Sequence, residues 1–309
     1  MRILLLGANG QVGHELRRSL APLGEVVATT RTGLLADGGQ CEALDVGAPE
    51  TFATLFDRVA PDVVVNATAY TSVDRAEAEP ELAWRINAEA PAELARHCAA
   101  RGARLVHYST DYVFDGNSSV PYREDDPACP INVYGASKLE GERRIQACGA
   151  SSLILRIAWV YATRGHNFLR TMLGLARDHD EVRVVADHCG CPTPAWLVAD
   201  VTARILSLGD AASGLQHLVA GGATSWHGFA ERIFAIARAQ GLVEHVPRVV
   251  PIAAKDYPAR ARRPHYSVLD TARLRTTYDL SLPGWDDALA TTLQHARAAA
   301  GRDASRRGC

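Results

Sequence analysis

The 309-residue chain reads as an α/β protein, a doubly wound parallel sheet with a smaller C-terminal lobe. Three observations predict this. Short apolar runs alternate with helical spacings through the first half, as expected of a parallel sheet covered on both faces. A glycine-rich turn follows the first apolar run at once. After Trp159 the alternation weakens, which marks a second unit.

In order, Arg2–Gly7 is a buried strand that glycine ends, and Gln11–Leu23 a helix with Val12, Leu16 and Leu20 on one side. Glu25–Thr30 is a strand, Ala48–Val59 a helix, and Asp62–Asn66 a second buried strand. Glu81–Arg101 is a long helix and Arg104–Ser109 returns to a strand. A helix carrying Tyr134 and Lys138 precedes the strand Ser152–Ile157. In the second half, helices are expected at Asn167–Asp178, Trp196–Leu208, Ser225–Gln240 and Asp286–Ala300. Strands are expected at Val182–Ala186 and Leu215–Ala220, and Pro247–Pro264 reads as loop.

Hydrophobic residues make up 47% and charged residues 22%, ordinary for a soluble globular protein. With 33 basic and 35 acidic residues, the net charge of −2 gives no electrostatic case for nucleic acid or an anionic membrane. The apolar start is too short for a signal peptide, and no stretch is long enough to span a membrane. The seven cysteines are scattered, without zinc or disulfide spacing, so a reducing, cytoplasmic setting is expected.

Gly7-Ala8-Asn9-Gly10-Gln11-Val12-Gly13 joins the first strand to the first helix. Glycines let a pyrophosphate approach the helix start, where free amides and the helix dipole favour anions. The spacing is one residue longer than the common Gly-x-Gly-x-x-Gly form of the Rossmann-type fold. Residues 1–160 are therefore expected to form a dinucleotide-binding domain, to which about 187–222 return. Residues 161–300 would mainly form a substrate-binding lobe, and 301–309 a flexible tail. Cofactor choice is read after the second strand, at Thr30 and Arg31. No acid stands there to favour NADH, and Arg31 suits the extra phosphate of NADPH, though it also suits a solvated surface. NADPH is thus preferred, with NADH possible. Asp45, with Val46 beside it, is placed to meet the adenine, and Ala67, Ala69, Tyr70 and Thr71 to run beneath the cofactor.

Tyr134 and Lys138 are four apart on a helix and share a face. A nearby ammonium lowers a phenol's pKa from about 10 and fits it to exchange a proton with a carbonyl oxygen. The strand before them delivers Ser109-Thr110-Asp111 to the edge of the sheet where such folds place chemistry. Thr110, Tyr134 and Lys138 make a hydroxyl, acid and cation set.

With these motifs the chain resembles the extended short-chain dehydrogenase/reductases, and within them the dTDP-4-dehydrorhamnose reductases. The resemblance rests on Gly7–Gly13, Asn66–Asp74, Ser109–Gly116, Tyr134–Lys138, Arg156–Tyr161, Gly190–Thr193 and Ser267–Asp270. It implies reduction of the 4-keto group of dTDP-4-dehydro-β-L-rhamnose to dTDP-L-rhamnose, for cell-surface polysaccharide, with Tyr134 giving the proton and Lys138 lowering its pKa. It also implies that Thr110, Asp111 and Trp159 line the sugar site. A homodimer bridged by magnesium belongs to some members. Glu15 would match one ligand, and the others find no counterpart. Asp187-His188-Cys189-Gly190 departs from the family by carrying His188 where glutamine is frequent. Arg262, Arg263 and Tyr257 are candidate contacts to the nucleotide or solvated loop residues. Alternatives are another nucleotide-sugar 4-ketoreductase, a dehydratase or epimerase, and a non-catalytic homologue. Tyr112 occupies the position where a dehydratase needs an acid, and the complete Thr110, Tyr134 and Lys138 set argues against lost catalysis.

Overall fold

The computed structural model describes residues 1–209 and 213–307, with side chains of the last helix described to residue 298. Six strands in the first half are β1 (Arg2–Leu6), β2 (Glu25–Thr30), β3 (Glu42–Ala43), β4 (Val63–Asn66), β5 (Arg104–Thr110) and β6 (Ser152–Ile157). They line up in parallel as β3-β2-β1-β4-β5-β6, and a seventh strand, Gly214–His217, joins outside β6. This is the doubly wound order expected, with the reversal between β1 and β4 opening a crevice at their carboxyl ends.

The alternation along β1 explains the layers. Ile3 and Leu5 pack with Leu16 and Leu20 of the Gln11–Leu20 helix and with Val198 and Ile205 of the Ala195–Ser207 helix. Leu4 and Leu6 point to the other face, onto Phe52, Phe56, Leu94 and Ile145. Both faces of one strand are thus covered, so its sequence is a continuous apolar run. A further core, built on Tyr161, Leu169, Met172, Phe229, Phe234 and Leu293, holds the C-terminal helices together.

Several elements differ from expectation. The long helix is Pro80–Trp84, a π-helical turn Arg85–Glu89, then Ala90–Arg101. The stretch read as loop contains a strand, Arg248–Ile252, paired in parallel with Glu181–Val185. Pro251 hides it from sequence reading, because proline cannot donate to a ladder and argues against a central strand. The last helix runs Trp285–Arg307, longer than the expected Asp286–Ala300, and 308–309 lie outside the described residues. No helix among the described residues is long and apolar enough to cross a membrane.

Candidate active site

The phosphate loop crosses from β1 to the Gln11–Leu20 helix. Gly7 takes a left-handed φ of +81°, and a Cβ on Gly13 would stand 2.1 Å from the Gly7 carbonyl oxygen. The helix therefore starts hard against the strand end. Its cap, Gly10, offers no side-chain hydrogen bond to the first amides, which leaves them free for an anion. These features fit a dinucleotide pyrophosphate.

Other loop candidates are engaged in building the loop. Asn9 donates from Nδ2 to the Leu34 carbonyl (2.9 Å) and accepts from the Ala36 amide (2.8 Å). Thr30 Oγ1 donates to the Leu34 carbonyl and accepts from the Leu34 amide, both at 3.1 Å. Gln11 Oε1 accepts from Asn167, and Asp45 Oδ1 closes its own turn by accepting from Gly47 N. Val12 packs into the core, Val46, Ala67 and Ala69 are half-buried, and Arg31 and Thr71 are exposed. Tyr70 OH donates to Glu79 Oε2 at 2.5 Å, and its backbone is clamped by Asn87. Asn87, on the π-helical turn, also donates to Ser137 on the Val133–Ala147 helix at 3.1 Å. It ties the β4 loop to the catalytic helix, a role the sequence reading missed.

That helix opens at Asn132, whose Oδ1 accepts from the Gly135 amide at 2.7 Å, a cap contributing about 1 kcal/mol. A Cβ on Gly135 would sit 2.1 Å from the Tyr112 carbonyl oxygen. Glycine at the centre of Tyr134–Ala136 thus lets the helix lie on the turn after β5, bringing Tyr134 to Thr110. The Tyr112 ring meets Tyr134 edge-on, with centroids 5.8 Å apart.

Thr110 Oγ1 accepts from the Tyr112 amide and donates to Asp111 Oδ1 at 3.1 Å. Its hydroxyl also lowers the pKa of the Tyr134 phenol. Burial pushes Asp111 up to about 7, with the Ser267 and Thr110 hydroxyls holding it down, and its Oδ2 has no hydrogen-bond partner. Lys138 is almost wholly buried and donates from Nζ to the Tyr108 carbonyl at 2.5 Å, with His107 Nε2 at 3.2 Å. Burial lowers it to about 8, while Glu142 one turn on raises it.

Burial drives Tyr134 up to about 12, the Thr110 hydroxyl opposes it and Asp111 adds to it, while Lys138 Nζ donates to the Tyr108 carbonyl of β5. A phenol with that pKa stays protonated at neutral pH, the form a proton donor needs.

Trp159 has a left-handed φ of +45°, unusual for a bulky side chain. Its ring stacks on Trp226 at 3.5 Å and 6°, and a Cβ on Gly190 would meet it at 2.4 Å. Trp226 had no sequence signal. Asp74, from the β4 motif, accepts from the Arg260 and Ala261 amides and from Arg263 Nη2 (2.6 Å), so Arg263 anchors the C-terminal loop to the sheet domain. Arg262 contributes its carbonyl to Asn132, and Tyr257 is exposed. His188 is buried, edge-on to His265. Glu15 pairs with Arg18 at 3.8 Å, and among the described residues no group of three or more His, Cys, Asp or Glu could hold a metal.

A family model described as the RmlD substrate binding domain matches residues 1–298. The dTDP-4-dehydrorhamnose reductase of Burkholderia thailandensis is 48% identical over 294 residues, 92% of this chain and 95% of its own. The chain belongs to this reductase family. The enzyme of the same name from Escherichia coli K12 is 43% identical over 288 residues, 92% of this chain and 94% of its own. A crystal structure of the Bacillus anthracis dTDP-4-dehydrorhamnose reductase, in complex with NADP, matches with a TM-score of 0.86 at 32% identity, covering 95% of this chain and 99% of that one. The UDP-glucose 4-epimerase of Thermus thermophilus, TM-score 0.77 at 21% identity over 96% of this chain and 99% of that one, shares the fold alone.

Proposed function

We propose that this chain reduces the 4-keto group of dTDP-4-dehydro-β-L-rhamnose to give dTDP-L-rhamnose, in rhamnose biosynthesis. The reading is supported by Thr110 at the end of β5, Tyr134 and buried Lys138 one turn apart on the Val133–Ala147 helix, and a glycine loop fitted to a dinucleotide. The nicotinamide supplies the hydride. Tyr134, held protonated by burial, gives its proton to the oxygen as charge develops there. Thr110 orients that oxygen by hydrogen bonding, and Lys138 helps hold the cofactor ribose. Asp111 and Trp159, backed by Trp226, line the sugar side. NADPH is preferred over NADH, supported by exposed Arg31 at the end of β2 and a loop pinned by Asn9. A homodimer is part of the reading.

The test is to mix the purified chain with reduced cofactor and the 4-keto nucleotide sugar, following nicotinamide absorbance and product by NMR. One cofactor should be consumed per dTDP-L-rhamnose formed, faster with NADPH than NADH. Silence with this substrate and with other 4-keto-6-deoxy nucleotide sugars would remove the proposal.

A further inference from the structure

Two buried polar side chains, in β4 and β5, are not used by the reaction described above. Asn66 ends β4 and His107 lies within β5, both wholly buried. Burying a polar group is costly unless it is hydrogen-bonded, and here the bonds form one chain that ends on Lys138.

The direction of the chain can be worked out from its fixed end. Asn66 Oδ1 accepts from the Thr68 amide at 3.1 Å and from Thr68 Oγ1 at 2.5 Å. A backbone N–H can only donate, so the carboxamide cannot be turned over. Its Nδ2 must then donate to His107 Nδ1, 3.1 Å away. A neutral imidazole carries one proton, and with Nδ1 accepting, that proton is on Nε2. Burial and the nearby Lys138 hold His107 far below its ordinary value, which keeps it neutral. Nε2–H therefore faces Lys138 Nζ at 3.2 Å. An ammonium has three donors and no lone pair, so two donors would oppose each other. A neutral amine accepts from Nε2–H while still donating to the Tyr108 carbonyl at 2.5 Å.

We infer that Asn66 and His107 are positioning residues for Lys138, presenting an N–H donor to its nitrogen and so favouring the amine over the ammonium. This deepens the reductase reading and rests on it for its kinetic consequence. The groups around Lys138 come from four places in the fold. On its own helix, Glu142 favours the ammonium, with its carboxylate shared by Arg156 of β6 (2.9 and 2.7 Å), and Tyr134 lies one turn back. From β5 come His107, which opposes the charge, and the Tyr108 carbonyl. Beyond the end of β5, Asp111 lies by Tyr134, and from the π-helical turn Asn87 reaches Ser137. Lys138 is thereby poised between its two forms close to physiological pH, so the cation that helps hold the cofactor ribose is lost on the alkaline side.

The test compares pH profiles of kcat/KM for the wild-type chain, Asn66→Asp and His107→Leu. Asp at 66 keeps an acceptor for Thr68 but offers a carboxylate oxygen to Nδ1, which takes the proton there and turns the Nε2 lone pair toward Lys138. His107→Leu removes the opposing N–H without adding charge. Both should move the alkaline limb upward, by about one pH unit, a tenfold change in the amine–ammonium balance. Limbs that stay in place or move down in folded variants would overturn the inference, since loss of packing alone lowers the whole curve. A second measurement needs neither turnover nor a variant. Imidazole 15N NMR of the wild-type chain should show His107 with a bare Nδ1 and a protonated Nε2, and the opposite tautomer or an imidazolium would refute the pairing. A chain that reduced no 4-keto nucleotide sugar would sink the reductase reading, while this spectrum would still decide the tautomer.

Discussion

Replacing Gly13 by alanine tests how the phosphate loop is built. The added Cβ would stand 2.1 Å from the Gly7 carbonyl oxygen, 2.8 Å from its carbon and 3.1 Å from Ala8 Cα. All three atoms are backbone, so no side chain can swing aside. Since separations under 3.0 Å are essentially never seen, the helix start must retreat by close to the difference, about 1 Å, from β1. Overpacking of this kind costs about 1–3 kcal/mol of stability. The free amides of the Gln11–Leu20 helix move with the retreat. A misplacement of about 1 Å in a positioning element can cost on the order of a hundredfold, so NADPH affinity should fall about 10- to 100-fold. Titration of nicotinamide fluorescence measures the affinity and thermal denaturation the stability. An affinity within about twofold of wild type, with an unchanged melting temperature, would show that the helix start does not carry the phosphates.

Three further substitutions probe the rest of the site. Asp111 has its pKa raised from 3.8 to about 7 by burial, so the folded chain binds this proton more tightly than the unfolded one. Its contribution is complete below the unfolded pKa and is lost as pH rises through the folded one, by up to roughly 4 kcal/mol. Asp111→Asn should therefore gain stability over wild type at pH 8 relative to pH 4 in denaturant titrations, and a constant difference would contradict the shift. Glu142→Gln leaves Arg156 charged and unpaired in the core, where the pair is nearly inaccessible to solvent. It should cost about 3–5 kcal/mol and, by removing the charge that raises Lys138, move the alkaline limb of kcat/KM down. Gly190→Ala would put a Cβ 2.4 Å from the Trp159 ring, forcing it off Trp226. The sugar-nucleotide KM should rise with the NADPH KM unchanged, together with altered tryptophan fluorescence, and an unmoved spectrum would refute the packing.

The sheet domain was legible because its signals are local. The run Ile3–Leu6 is apolar on both faces, as only a doubly covered strand is, and the spacing of Gly7, Gly10 and Gly13 encodes how closely helix and strand approach. Tyr134 and Lys138 were legible from helical periodicity, but the partner of Nζ was not, because the Tyr108 carbonyl is a backbone group brought in by tertiary packing. For the same reason the roles of Asn9, Thr30 and Asp45 went unread, since their side chains serve loop turns that sequence spacing does not specify. Asn66 and His107 did leave a trace, a polar residue in each of two buried strand runs. The π-helical turn that aims Asn87 at both Tyr70 and Ser137 left none. Trp226 meets Trp159 only across the lobe, through the fold rather than the sequence.

The central claim is that Tyr134 delivers the proton. Tyr134→Phe keeps the ring beside Tyr112 and removes only the hydroxyl, so its packing is preserved. Single-turnover reduction of the 4-keto nucleotide sugar by NADPH should slow by about 10²- to 10⁴-fold, with NADPH affinity unchanged. A variant that turns over at the wild-type rate would contradict the account.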